Sequence, residues 1–164
     1  MNYGLDGAVL KKHWKQYTDL TYFERKLLWQ SVILLPIIHI TLSILGYARL
    51  CGLIEKITPL KRSSPQKSES EIIEQARKTA RMVSIAARYG PFRATCLRRS
   101  LLISWFLRGQ GIRSTICFGV RTTDRQLEAH AWVEINGLVI SEWDGSYKGY
   151  QALGAELPPT RSGL

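Results

Sequence analysis

The chain has 164 residues, 45% of them hydrophobic and 22% charged, and a formal net charge of +10. That length and composition suit one compact domain with its own core and exclude a disordered chain. The basic excess favours an acidic partner (nucleic acid, an anionic membrane face or an acidic peptide) without choosing among them.

The cysteines are Cys51, Cys96 and Cys117, and histidines stand at positions 13, 39 and 130. Residues 1–20 hold Lys11, Lys12 and Lys15 but no apolar core with a cleavage site, so the cysteines are expected as reduced thiols in a cytoplasmic protein. No C-x-x-C is present and the histidines are scattered, so neither a metal site nor a cofactor is expected.

In chain order, residues 1–57 read as an apolar, basic N-terminal helical extension, 58–70 (TPLKRSSPQKSES) as a polar linker, 71–157 as the mixed core and 158–164 as a loose tail. Thr21 and Glu24 have the spacing of a capping box, which starts a helix predicted to run to about Leu35. Pro36 is expected to end or kink it, with a second helix from Ile37 to about Leu50. Leu27 to Leu45 is long enough to suggest a membrane span. Gln30, Ser31, Pro36, His39, Thr41 and Ser43 interrupt it and basic residues flank both ends. Two short helices packed on the domain are the preferred reading, with peripheral contact at the inner face of a membrane left open.

Ser68 and Glu71 form a second capping box, followed by Ile72, Ile73, Ala76, Ala80, Val83 and Ala87 at helical spacing. Gly90-Pro91 ends that helix. Thr95 to Gly109 reads as a central helix with a wide apolar stripe of Leu97, Leu101, Leu102, Trp105 and Phe106. Ile112 to Arg121 follows as a strand, then Glu128 to Ile135 and Leu138 to Asp144 as the arms of a hairpin.

Cys96 falls in the first turn of the central helix. The partial positive charge and free N–H groups there favour a thiolate and can also receive an oxyanion. Arg98 and Arg99 add positive charge. Cys51, after an apolar helix, and Cys117, inside a strand, read as small buried hydrophobes. His130 is the available base in the mixed half, near the start of a strand. A cysteine at a helix tip with a histidine on the sheet is the arrangement of papain-like sites.

An acid on the neighbouring arm would orient the imidazole, and Glu142 and Asp144 are the candidates. A two-residue Asn136-Gly137 turn would set His130 opposite Trp143 and turn Glu142 to the other face. A three-residue loop, Ile135 to Gly137 with a glycine bulge, would pair Glu134 with Leu138 and His130 with Glu142. The second register is the one predicted.

The strings CLRRSLLISWFLRGQGI, FGVR and AHAWVEINGLVISE resemble the transglutaminase-like cysteine peptidases of lasso peptide biosynthesis, in particular the stand-alone leader-peptidase half of the split B protein. The likeness is strong over about residues 90–143 and weaker over TYFERKLLWQSVILLP, which is similar to that family's helical N-terminal part. It implies an α+β, papain-like core, with a Cys-headed helix against an antiparallel sheet. It implies Cys96 as nucleophile and His130 as general base and acid. The family's third member is typically Asp and its position aligns with Glu142, so either Glu142 substitutes or Asp144 takes the role. The resemblance also implies a ribosomally made precursor peptide as substrate, a small leader-recognition protein and a separate ATP-dependent macrolactam cyclase. No P-loop pattern is present, so no nucleotide site is assigned. The same triad can transfer an acyl group to an amine, and a non-catalytic precursor-binding scaffold of the same fold is a further alternative. No nucleic-acid-binding motif supports a nucleic acid partner.

Overall fold

The computed structural model describes residues 20–60, 68–91, 94–123, 126–141 and 145–153. In chain order these form α1 (Tyr22–Ile57), α2 (Glu69–Tyr89), α3 (Cys96–Gly109), β1 (Thr115–Thr123), β2 (Gln126–Ile135), β3 (Leu138–Val139), a 3-10 turn (Ser146–Gly149) and β4 (Gln151–Ala152). The predicted tail lies outside the described residues, as do 61–67 of the linker.

Both capping boxes form. Thr21 N–H donates to Glu24 Oε2 at 2.9 Å and Glu24 N–H donates back to Thr21 Oγ1 at 3.3 Å. The Thr21 hydroxyl also donates to Glu24 Oε2 at 2.7 Å, and that bond, with the one from the Thr21 N–H, holds the Glu24 carboxyl below its ordinary pKa. Ser68 and Glu71 repeat the arrangement at 2.8 and 3.4 Å.

The predicted break at Pro36 does not occur. The helix passes through Pro36 and kinks at Gly46, whose φ of 74° and ψ of 172° are non-helical. Proline removes one N–H but keeps a helical φ, whereas the conformation at 46 is one that only glycine enters readily. By length and composition α1 is apolar enough to cross a membrane. One face of it is nevertheless buried in the protein, through Leu27, Ser31, Leu35 and Ile38.

The antiparallel sheet has the order β3-β2-β1-β4; α3 packs on it through β2 and β1, and α1 and α2 pack against α3 and each other. Leu35, Ile38, Leu50 and Ile54 of α1 share one buried cluster with Ala76, Ala80 and Val83 of α2 and Leu101, Leu102, Ile103 and Leu107 of α3. Val133 and Ile135 of β2 join it from the sheet. Two polar clasps fix α3 among its neighbours. Trp105 Nε1 donates to Thr58 Oγ1 at 2.9 Å and Arg108 Nε to the Thr58 carbonyl at 2.7 Å, gripping the end of α1. Gln75 Nε2 donates to Gln110 Oε1 at 2.8 Å while Gln110 Nε2 donates to Thr79 Oγ1 at 3.0 Å, tying α2 to the end of α3.

β1 and β2 form a long hairpin running from Thr115 opposite Glu134 to Thr123 opposite Gln126. The β2–β3 turn corrects the predicted register. Ile135 pairs with Leu138 and Glu134 with Val139, so the loop has two residues, Asn136 at φ 50° and Gly137 at φ 78°. Positive φ at both central positions is the type I′ geometry, whose twist matches the flanking strands, and Asn-Gly enters it at least cost. That local preference outweighs the bulge that Glu142 required. The β3 ladder is also shorter than predicted. Ile140 N–H still donates to Val133 O at 2.9 Å, but Val133 N–H is met by the Ser141 hydroxyl at 3.0 Å. A side chain takes the place of a main-chain carbonyl there, and residues 142–144 lie outside the described residues.

Candidate active site

Cys96 is the first residue of α3, with Thr95 as its N-cap. The Thr95 side chain makes no cap hydrogen bond and no acid stands in the first turn, so neither consumes the N–H groups or the positive end of the dipole. Cys96, Arg98 and Arg99 are half-buried, and both guanidinium Nε atoms are buried. One turn along, the buried Ser100 hydroxyl donates to the Ala131 carbonyl at 3.1 Å. Cys96 and Ser100 lie on one helical face, about 6 Å apart along the axis. The tip of α3 is thus held to the strand at the residue next to His130.

The other two cysteines are half-buried rather than buried. Burial pushes the Cys117 thiol up from 9.0 to about 11, with Glu134 adding to the effect. Burial also raises Cys51, partly offset by a hydrogen bond from Tyr47. Both are thiols at neutral pH.

Strand alternation divides β2. Ala131, Val133 and Ile135 are buried on the helix side, whereas His130, Trp132 and Glu134 share the opposite face. There an aromatic group encloses His130. The Tyr150 ring lies 5.0 Å from the imidazole at 27°, the Trp132 ring 6.3 Å away at 24°, and Tyr147 tilts against Trp132 at 6.2 Å. Across the ladder, Gly119 pairs with His130. A Cβ at Gly119 would stand 2.8 Å from Trp132 and 2.9 Å from Tyr150, so a glycine is what lets these rings close down on the sheet.

A charged bracket steadies Tyr150. Arg121 Nε and Nη2 each donate to Glu128 Oε2 at 2.7 Å, across the β1–β2 pair. The Arg121 guanidinium carbon sits 4.5 Å from the centre of the Tyr150 ring, and Tyr150 Oη donates to the same Glu128 oxygen at 3.3 Å. Glu128 is held below its ordinary pKa by Arg121.

Ser100 and Ala131 thus join the helix that Cys96 heads to the strand that carries His130, whereas the His130 side chain lies on the other face of that strand with Trp132 and Tyr150. Glu142 and Asp144 lie outside the described residues. The sequence reading missed Trp132, Tyr150 and Gly119 as neighbours of the histidine. An isolated glycine inside a strand was the available signal, since it marks a close approach. Tyr150 comes from a segment with no strand pattern, and no sequence signal pointed to it. Among the described residues no cluster of His, Cys, Asp and Glu is suited to hold a metal.

A protein-family model described as the transglutaminase-like superfamily matches residues 39–155. No curated protein and no solved structure matches the chain. The match spans more than half of the chain, and the helices stacked on one antiparallel sheet agree with it: the chain belongs to the transglutaminase-like superfamily.

Proposed function

We propose that this protein is a cysteine endopeptidase that removes the leader from a ribosomally made lasso peptide precursor. The superfamily commonly carries cysteine peptidase or acyl transferase chemistry. The observation that carries the reading to this chain is the Ser100–Ala131 hydrogen bond, which ties the Cys-headed tip of α3 to the strand beside His130. The lasso-specific part rests on the resemblance of the Cys96 and His130 strings.

In the proposed reaction His130 takes the Cys96 thiol proton and Sγ adds to the scissile carbonyl carbon. The oxyanion is received by first-turn N–H groups of α3. The C–N bond breaks as His130 returns its proton to the leaving amine, which leaves a thioester on Cys96. Water, deprotonated by His130, adds to that thioester. The C–S bond breaks, the carboxyl product departs and the proton goes back to the thiolate. An acid at Glu142 or Asp144 would hold the imidazole tautomer. The two-residue turn favours neither, because the regular ladder ends before both.

The test uses the full chain with its precursor peptide and the leader-recognition protein, and follows cleavage by mass spectrometry. Wild type is expected to cut once, at the leader–core junction. Cys96→Ala and His130→Ala are expected to lose at least about a thousandfold, the scale of a missing nucleophile or base. Undiminished cleavage by Cys96→Ala would overturn the peptidase reading. Comparing Glu142→Gln with Asp144→Asn assigns the third member. Mass transfer to an added amine would instead assign acyl transfer.

A further inference from the structure

The helix α1 carries two apolar faces. One, through Leu27, Leu35 and Ile38, is buried against the domain. On the other, Trp29, Ile33, Ile37, Ile40 and Ile44 are each 48–72% exposed. At 100° per residue these five fall within an arc of about 80°, opposite the buried face, and extend for about 22 Å. From Leu27 to Ala48 the sequence holds no Asp, Glu, Lys or Arg. A solvated helix face normally carries such charges, so this one is built for an apolar environment.

The ends of the face say what that environment is. Arg25 and Lys26 are exposed just before it, and Arg49 and Lys56 after it. Lys11, Lys12 and Lys15 precede these in the chain, and Lys61, Arg62 and Lys67 follow. Among the described residues of α1, the acids are engaged elsewhere. Glu24 accepts from Thr21 in the helix cap, and Glu55 faces Arg108 at 4.0 Å. Two copies joined through this face would bring basic ends together whether the helices ran parallel or antiparallel. An anionic lipid surface accepts both the apolar stripe and its basic flanks. A span is disfavoured, since the opposite face is buried in the protein and α2 alongside carries exposed Arg77, Lys78 and Arg81.

We propose that α1 is an in-plane docking helix, its Trp29–Ile33–Ile37–Ile40–Ile44 face resting at the headgroup–acyl boundary of an anionic bilayer. The basic residues at both ends engage lipid phosphates while the domain stays on the aqueous side. This inference stands apart from the peptidase reading, because it concerns a different face of the molecule.

The test is co-sedimentation of the full chain with sucrose-loaded vesicles of phosphatidylcholine and phosphatidylglycerol at 3:1, against phosphatidylcholine alone. Wild type is expected to bind the anionic vesicles at least tenfold better, and less so as salt is raised. Ile33→Gln with Ile40→Gln is expected to reduce binding at least tenfold. Lys26→Glu with Arg49→Glu is expected to abolish the preference for the anionic lipid. Unchanged circular dichroism shows that these exposed substitutions leave the fold intact. Three results would overturn the proposal: no binding of wild type to anionic vesicles, equal binding by the isoleucine variant, or retention after an alkaline carbonate wash. So would a dimer in light scattering that the isoleucine variant dissolves without any vesicle binding, which would assign the face to a second copy.

Discussion

The Tyr150 ring stacks on the His130 imidazole, 5.0 Å between centres and 27° from parallel. A residue near the end of the described chain thus limits the rotation of the histidine proposed as base. Tyr150→Ala removes that wall and is expected to lower kcat about tenfold with little change in KM, since stacking of this kind contributes about 0.5–1.5 kcal/mol. Tyr150→Phe keeps the ring and loses only the 3.3 Å bond to Glu128, so it should recover most of the rate. A broadened His130 ring resonance in the Ala variant, sharpened again in the Phe variant, separates positioning from general destabilisation.

Gly119 allows that arrangement. Gly119→Ala places a Cβ at 2.8 Å from Trp132 and 2.9 Å from Tyr150. The Trp132 ring and the Tyr150 Cβ must both give way, and overpacking of this kind costs about 1–3 kcal/mol. A lower urea midpoint with unchanged m-value is expected, together with a fall in peptide cleavage larger than the lost folded fraction explains.

Ser100 connects α3 to β2. Ser100→Ala leaves the buried Ala131 carbonyl without its 3.1 Å donor, at a cost of about 1–3 kcal/mol. Because this bond fixes the Cys96 end of α3 on β2, the variant should also slow alkylation of Cys96 at neutral pH. Ser100→Thr, which keeps the hydroxyl, should be closer to wild type in reactivity.

The β2–β3 turn needs positive φ at both central residues, 50° at Asn136 and 78° at Gly137. Gly137→Val forces a β-branched residue into the left-handed region, and a loss of about 1–2 kcal/mol is expected. Asn136→Gly should be tolerated. Chemical denaturation of the two variants checks this. An equal effect of both would contradict the type I′ turn.

Thiol reactivity should separate the cysteines by pH. Burial holds Cys117 at about 11 and raises Cys51, so iodoacetamide at pH 7.5 should label Cys96 first. The sign for stability follows from the raised value. Between the ordinary 9.0 and about 11 the unfolded chain has released the Cys117 proton and the folded chain retains it, so stability falls as pH rises through that window. Cys117→Val should remove that contribution, flattening the pH dependence of the urea midpoint above pH 9.

The sequence by itself determined the parts set by neighbouring residues. Thr21-x-x-Glu24 and Ser68-x-x-Glu71 start helices because each box satisfies its own free N–H groups. Cys96 heads α3 because the apolar spacing begins there. The turn at Asn136-Gly137 was legible in the same way, and preferring the bulged register overrode a sound local signal. Pro36 does not end the helix, and the residue that leaves helical geometry is Gly46. Only the tertiary structure brought Tyr150 over His130, Gly119 against the Trp132 ring and the Tyr150 Cβ, and Ser100 to Ala131. Those contacts join residues far apart in the chain, and their geometry depends on strand register and helix docking, which no short window of sequence encodes.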